Sequence, residues 1–152
     1  MKVQNKYRTV DTVALLKSLI GIVSYSGKED DVADFLEDFL RKIGFQPFRK
    51  KNNLCLIPSN YVKEHPTVLL NAHIDTVRPS GNWTYDPFKP TETDNKIYGL
   101  GSNDDGASLV CLLNTYMHYI DQDLPANLIF SATAEEETGG RDGIQTLVNE
   151  LP

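Results

Sequence analysis

Cysteine is almost missing from this chain: there are two in 152 residues, Cys55 and Cys111. So few thiols argue against a disulfide-stapled secreted scaffold. Their apolar surroundings read as two reduced core thiols of a cytosolic protein. Basic residues are also short, 15 against 21 acidic ones, for a net charge of −6. That balance argues against nucleic acid or an anionic membrane as the main partner. No apolar run approaches the roughly 20 residues that a membrane-spanning helix needs. The basic start, Met1 to Lys6, is followed by no apolar segment, so no signal peptide is expected and the expected location is the cytoplasm. What remains is ordinary globular material, 40% hydrophobic and 24% charged, long enough for one domain with a real core.

Hydrophobic spacing predicts a first helix over 11–23, with Leu16, Leu19, Ile20 and Val23 on one stripe. A second is expected from Ser26, which forms a capping box with Glu29, to Gly44. Residues 45–49 and 54–57 read as a hairpin around Lys50 to Asn53. Thr67 to Leu70 is a continuous apolar run, expected to be a strand buried on both faces. A long proline-containing loop follows, then a short strand at 96–98. A third helix carries Leu109, Leu112, Leu113, Tyr116, Met117 and Ile120. A second buried strand spans 127–132, and a last helix is expected from Asp142 past Glu150. Strands alternating with helices predict an α/β sheet with helices on its faces. Ligands of such sheets bind beyond the carboxyl ends of the strands.

Three short segments lie at such ends or at a helix start. They are Asn71 to Val77, Gly99 to Gly106, and Glu135 to Gly140. In the first, His73 suits a metal, and Asp75, two residues on, can face the same way and hold the other ring nitrogen. A satisfied core His beside a turn Asp is the bland alternative. In the second, Asp104 and Asp105 precede an apolar helix and fit either a site or a helix cap. The Gly-x-Gly pattern is not a dinucleotide loop, because Asp104 stands where the third glycine belongs. In the third, three adjacent glutamates repel one another, so they are either a solvated loop or a metal ligand beside a general base. His65 and His118 read as solvated. Trp83, Tyr85 and Phe88 either line a pocket or pin the long loop.

In that order, the segments resemble the zinc-dependent deacylases and exopeptidases that include acetylornithine deacetylase, succinyl-diaminopimelate desuccinylase and carboxypeptidases of the same fold. The family's His-x-Asp segment matches His73-Ile74-Asp75, and its Gly-x-Gly-x-x-Asp segment matches Gly99 to Asp104. Its Glu-Glu segment matches Glu136-Glu137, with Glu135 before and Gly139 just after. The stretch from Trp83 to Phe88 has the same look, so the resemblance covers most of the chain. It implies a three-layer, phosphorylase/hydrolase-like metallopeptidase catalytic domain, mostly parallel, with helices on both faces. Carried over by position, His73 is the implied ligand of one zinc, Asp104 the bridge between two, and Glu137 a ligand of the second. Glu136 is the implied general base and Asp75 the residue that orients His73. The implied cofactors are two Zn2+, with Co2+ or Mn2+ as substitutes, and the Asp104–Asp105 peptide matches one that is cis in the family.

The implied reaction is hydrolysis of the amide of a small N-acyl amino acid, with N-acetylornithine deacetylation in arginine biosynthesis as the nearest match. A desuccinylase, dipeptidase or carboxypeptidase is the alternative within the family. A non-catalytic α/β fragment that binds a metal or a partner is the alternative of another class. The family has two further ligands, an acidic residue shortly after the Glu-Glu segment and a His near its C-terminus, and an inserted dimerisation domain. No His follows His118 here. Residues 1–152 are therefore expected to be the truncated, N-terminal part of a catalytic domain whose parent is a homodimer and whose full site needs more chain.

Overall fold

The computed structural model describes residues 10–152, and the basic start at residues 1–6 lies outside them. Helix α1 spans Thr12–Ile20 and opens on Asp11, whose carboxylate accepts the Ala14 N–H at 2.9 Å. Such a cap contributes about 1 kcal/mol. The helix ends sooner than its apolar stripe suggests, at Gly21, and Val23 is 44% exposed. Residues 24–26 are drawn away to pair with Thr76: the Thr76 N–H donates to Ser24 O at 2.8 Å and the Ser26 N–H to Thr76 O at 3.3 Å.

Helix α2 spans Asp30–Lys42, with Asp30 and Asp31 in the first turn and Arg41 and Lys42 in the last, as the helix dipole favours. The expected capping box does not form. Glu29 is the N-cap residue and makes no side-chain cap, and Ser26 lies outside the helix. Both side chains are used elsewhere, as described below.

Strand β1 (Phe48–Lys50) turns through Lys51 and Asn52 into β2 (Asn53–Leu56). Strand β3 covers Thr67–His73, three residues longer than its apolar run. A small hairpin of β4 (Thr91–Thr93) and β5 (Lys96–Tyr98) follows. Its two turn residues, Asp94 and Asn95, have φ of 52° and 57°, the left-handed geometry of a tight hairpin. Helix α3 spans Ala107–Tyr119, β6 spans Asn127–Thr133, and α4 is only Ile144–Val148, much shorter than expected.

The main sheet has the order β1-β2-β6-β3. Strands β3 and β6 are parallel, in register from Thr67↔Asn127 to His73↔Thr133. Strand β2 runs antiparallel to both β1 and β6. The sheet is thus mixed, not mostly parallel, because a two-residue turn can only return the chain antiparallel. Alternation sorts the side chains to two faces. Leu54, Leu56, Leu70, Ala72, Phe130 and Ala132 pack with α1, α2 and α3 in the larger core. Cys55, Leu69 and Ile129 point the other way and pack with Leu147 of α4. Helices on both faces of the sheet give the α/β class its three layers. Burying a side chain such as Phe130 or Leu113 contributes about 1.5–3 kcal/mol.

Two burial expectations are corrected. Strand β3 is an edge strand, paired with β6 alone among the described residues, so Val68 is 48% exposed and the run is not buried on both faces. Cys111 is exposed, because α3 turns Leu109, Val110, Leu113, Tyr116 and Met117 inward and Cys111 away from them. Both cysteines are free thiols, and burial pushes the Cys55 thiol up to about 12. Only a thiolate attacks a thiol reagent. In an aromatic disulfide assay at pH 8, one thiol per chain, Cys111, should therefore react at once. Cys55 should react only on adding denaturant, and two fast thiols would refute this burial pattern.

Candidate metal centre

The parallel pairing of β3 and β6 brings His73, at the end of one strand, beside Thr133, at the end of the other. The chain beyond β3 carries Asp75 and the chain beyond β6 carries Glu135 to Glu137. Between β5 and α3, residues 99–106 bring in Asp104 and Asp105. Gly101 has φ 71°, and a Cβ there would lie 2.8 Å from the Thr76 methyl, so the approach of this turn to the strand end requires glycine. Neither Asp caps α3, whose N-cap is Gly106. The Asp104–Asp105 peptide is cis. The Asp105 carboxylate accepts the His73 backbone N–H at 3.3 Å.

The centre of the arrangement is Asp75, 1% exposed. Its carboxylate accepts from Ser26 Oγ at 2.5 Å and from the N–H groups of Glu136 and Glu137, both at 3.1 Å. His73 Nδ1 lies 3.4 Å from Asp75 Oδ1 and 3.0 Å from the Asp75 carbonyl oxygen. The opposite ring nitrogen, Nε2, faces outward, 3.1 Å from Asp104 Oδ1 and 3.8 Å from Glu136 Oε2. One ligand atom each from His73, Asp104 and Glu137 lie within 4.8 Å of one another. The turn Glu136–Thr138 begins after Glu135, whose φ is 58°. All five residues singled out from the sequence, His73, Asp75, Asp104, Glu136 and Glu137, therefore meet at one sheet edge.

The charges of this cluster are unbalanced. Among the described residues, no Lys or Arg forms an ion pair with Asp104, Asp105, Glu136 or Glu137. Burial and the nearby charge of Asp104 raise the Glu137 carboxyl above its ordinary value. The Asp75 carboxylate, opposed by burial and helped by Asp104, raises the His73 imidazole to about 9. Burial opposes ionisation of Asp75 itself, yet the hydrogen bonds from His73, Ser26, Glu137 and Glu136 hold it down at about 2. An imidazole and two carboxylates in one cluster, with a fixed acceptor behind the imidazole, are the donors that a hard-to-borderline divalent cation such as zinc takes.

Two residues of this region were not legible as site residues. Glu29, 1% exposed, accepts from the N–H of Gly27 at 2.6 Å and of Glu135 at 3.3 Å, and from Asn52 Nδ2 at 3.4 Å. Asn53, fully buried, accepts the Ala134 N–H at 3.0 Å and donates to the Asp142 carbonyl at 2.6 Å. They hold the acidic turn from beneath, as Asp75 does from the side. The only sequence signal was a polar Asn opening an apolar strand and a Glu one step before a helix. His65 and His118 are exposed, as expected.

The model of Peptidase family M20/M25/M40 matches residues 69–152, more than half of the chain and all three motif segments. The chain belongs to this family. A succinyl-diaminopimelate desuccinylase of Rickettsia bellii is 27% identical over 143 residues, covering 88% of this chain and 36% of that protein. An acetylornithine deacetylase of Edwardsiella ictaluri is 30% identical over 138 residues, covering 83% and 36%. In three dimensions, the M20-family metallo-carboxypeptidase Sso-CP2 of Sulfolobus solfataricus matches at a TM-score of 0.70 and 23% identity, covering 86% of this chain and 32% of that one. The M20/M25/M40 chain thus spans little more than a third of the length of these curated relatives.

Two outcomes follow from this geometry. In protein stripped of metal by EDTA, Asp75 stabilises the fold above its ordinary value of 3.8, and this is lost as pH falls toward about 2. His73 does so below its ordinary 6.5, and this is lost as pH rises through about 9. The gap in urea midpoint between wild type and Asp75→Asn should therefore be widest between these ordinary values and narrow toward pH 2 and pH 10; a flat gap would show that the charge pairing is not its source. Separately, Glu29→Ala removes the acceptor of two part-buried N–H groups and should cost about 1–3 kcal/mol in urea unfolding. A loss below about 0.5 kcal/mol, the level of an ordinary surface change, would show that Glu29 does not hold the turn.

Proposed function

We propose that residues 1–152 are the N-terminal part of a zinc-hydrolase catalytic domain and carry its metal-binding core. The observation that carries this reading is the convergence of His73, Asp104 and Glu137 within 4.8 Å, with no Lys or Arg paired to the acids among the described residues. A bound divalent cation supplies the missing positive charge, activates water near neutral pH and polarises the substrate carbonyl. His73 through Nε2, Asp104 and Glu137 would hold the metal, with Asp104 as the shared ligand of a two-ion centre. Asp75 keeps the His73 ring turned so that Nε2 points to the ion. Glu136, exposed beside His73, takes the proton of the attacking water on its carboxylate and delivers it to the leaving nitrogen. Zinc is the proposed metal, with cobalt or manganese as substitutes.

The proposed substrate is a small N-acyl amino acid. The two curated relatives described above are a deacetylase and a desuccinylase, and both act on an acyl group. Acetylornithine is the nearest candidate, which would place the enzyme in cytoplasmic arginine biosynthesis, and a succinylated substrate is the alternative.

Calorimetric zinc titration tests the reading. Wild type and Glu136→Gln should bind zinc with similar affinity. Asp104→Ala should lose 10-fold or more, roughly the loss expected for one charged ligand contact. Equal zinc affinity in wild type and Asp104→Ala, or no zinc binding in wild type, would overturn it. In the complete enzyme, Glu136→Gln should abolish turnover while leaving the metal in place.

A further inference from the structure

Beside Glu137 lies a cleft of about 340 Å3, lined by Tyr25, Ser26, Lys28, Thr76, Arg78 and Glu137 among others. Its size falls within the range of small-molecule sites, roughly 300–1,000 Å3. Of the metal cluster, Glu137 alone lines this cleft, and it is an acid. The other wall is cationic, with Lys28 and Arg78 both exposed on it.

Arg78 is mounted in a particular way. Elsewhere in the molecule Lys17, Arg41, Arg49, Lys50 and Lys51 each pair with a carboxylate. Arg78 pairs with none among the described residues, although it is only three positions from Asp75 and shares a cleft with Glu137. Its guanidinium lies instead over the Tyr25 ring, 4.6 Å from the centroid. That ring is fixed in turn. Phe88 meets it edge-on at 6.0 Å, and the backbone bridge from Tyr25 to Thr76 ties it to the segment that carries Arg78. Stacking on a face leaves the edge N–H groups of a guanidinium directed outward in a fixed fork. A fork of this kind matches a carboxylate and binds it through two parallel hydrogen bonds.

We propose that Arg78, seated on Tyr25 and supported by Lys28, recognises a carboxylate of the substrate in this cleft. The proposal rests on the metal-centre reading, because Glu137 repels an anion unless its own charge is engaged by a cation. It deepens that reading by naming the residue, Arg78, that recognises the free carboxylate of the N-acyl amino acid. That carboxylate has two possible sources, the acyl tail, as in a succinyl group, or the α-carboxylate of the amino acid.

The test is a titration of the isotope-labelled chain, followed by amide chemical shifts, with zinc present and again in EDTA. Three probes separate the sources: N-acetylglycine carries only the α-carboxylate, N-succinylglycinamide only the acyl carboxylate, and N-acetylglycinamide neither. At least one anionic probe should shift Tyr25, Thr76 and Arg78 and saturate, while the neutral probe should not, and the anion that binds tighter identifies the source. Arg78→Ala should weaken the anion about tenfold, the loss of a charge-assisted hydrogen bond, and Arg78→Lys should recover part of it. The residue is exposed, so neither change should alter the fold or zinc uptake. Equal binding of the neutral probe, an unchanged affinity in Arg78→Ala, or no anion binding in either condition would overturn the proposal. Anion binding that depends on Arg78 in a chain that takes up no zinc would support the subsite and sink the metal reading.

Discussion

A single buried carboxylate organises this end of the molecule. Asp75 is 1% exposed, and an uncompensated charge so placed would destabilise the fold by several kcal/mol. Compensation comes from the residue's own strand end, from the loop before α2 and from the acidic turn after β6. The donors are His73, Ser26, and the backbone of Glu136 and Glu137. None of these segments can leave without stranding the charge. The same hydrogen bonds that make Asp75 tolerable therefore fix the imidazole and the turn of glutamates relative to each other. Stability and site geometry here are one set of contacts.

Around that fixed point the acids have no Lys or Arg partner among the described residues, and His73 is the one basic group beside them. Asp104, Glu136 and Glu137 face one another across the outward nitrogen of His73, and the burial that raises Glu137 is felt on the same side. Fixing like charges together is unfavourable in a protein that merely folds, which makes this cluster a candidate cation site. Membership of the M20/M25/M40 peptidases accords with this physical reading. The contrast with Arg78 is instructive. A cation lies within the same neighbourhood, yet it is turned onto an aromatic face and not spent on neutralising the acids.

The site was more legible in the sequence than the fold that holds it. The three acidic segments stood out because carboxylates gathered at strand ends and beside glycines are costly, and the family resemblance picked His73, Asp75, Asp104, Glu136 and Glu137 from them. The elements were found because their apolar spacing is long and regular, as in α2 and α3. What was not legible depends on long-range pairing. Ser26 and Glu29 satisfy the local pattern of a capping box, and only a partner 49 and 106 positions away, respectively, draws them off it. Val23 fits a helical stripe, but the pairing of residues 24–26 with Thr76 ends the helix first. The apolar run of β3 looks central, but whether a strand is central or at an edge depends on its neighbours. The hairpin of β1 and β2 was legible, but its antiparallel pairing with β6, and hence the mixed sheet, depends on a strand more than 70 positions away.

The in-register parallel pairing of β3 with β6 sets where this chain can absorb insertions and deletions. Strand residues alternate between faces, so a one-residue slip of either strand would turn His73 from one side of the sheet to the other and shift it along the strand by about 3.3 Å. Adding or removing a single codon within 67–73 or 127–133 would therefore dismantle the site while barely changing composition and hydrophobicity. The long surface connection from 79 to 90 has no such register to keep. Length variation among descendants of this sequence should accumulate there, and the strand-to-strand spacing should behave as a ruler that evolution does not cut.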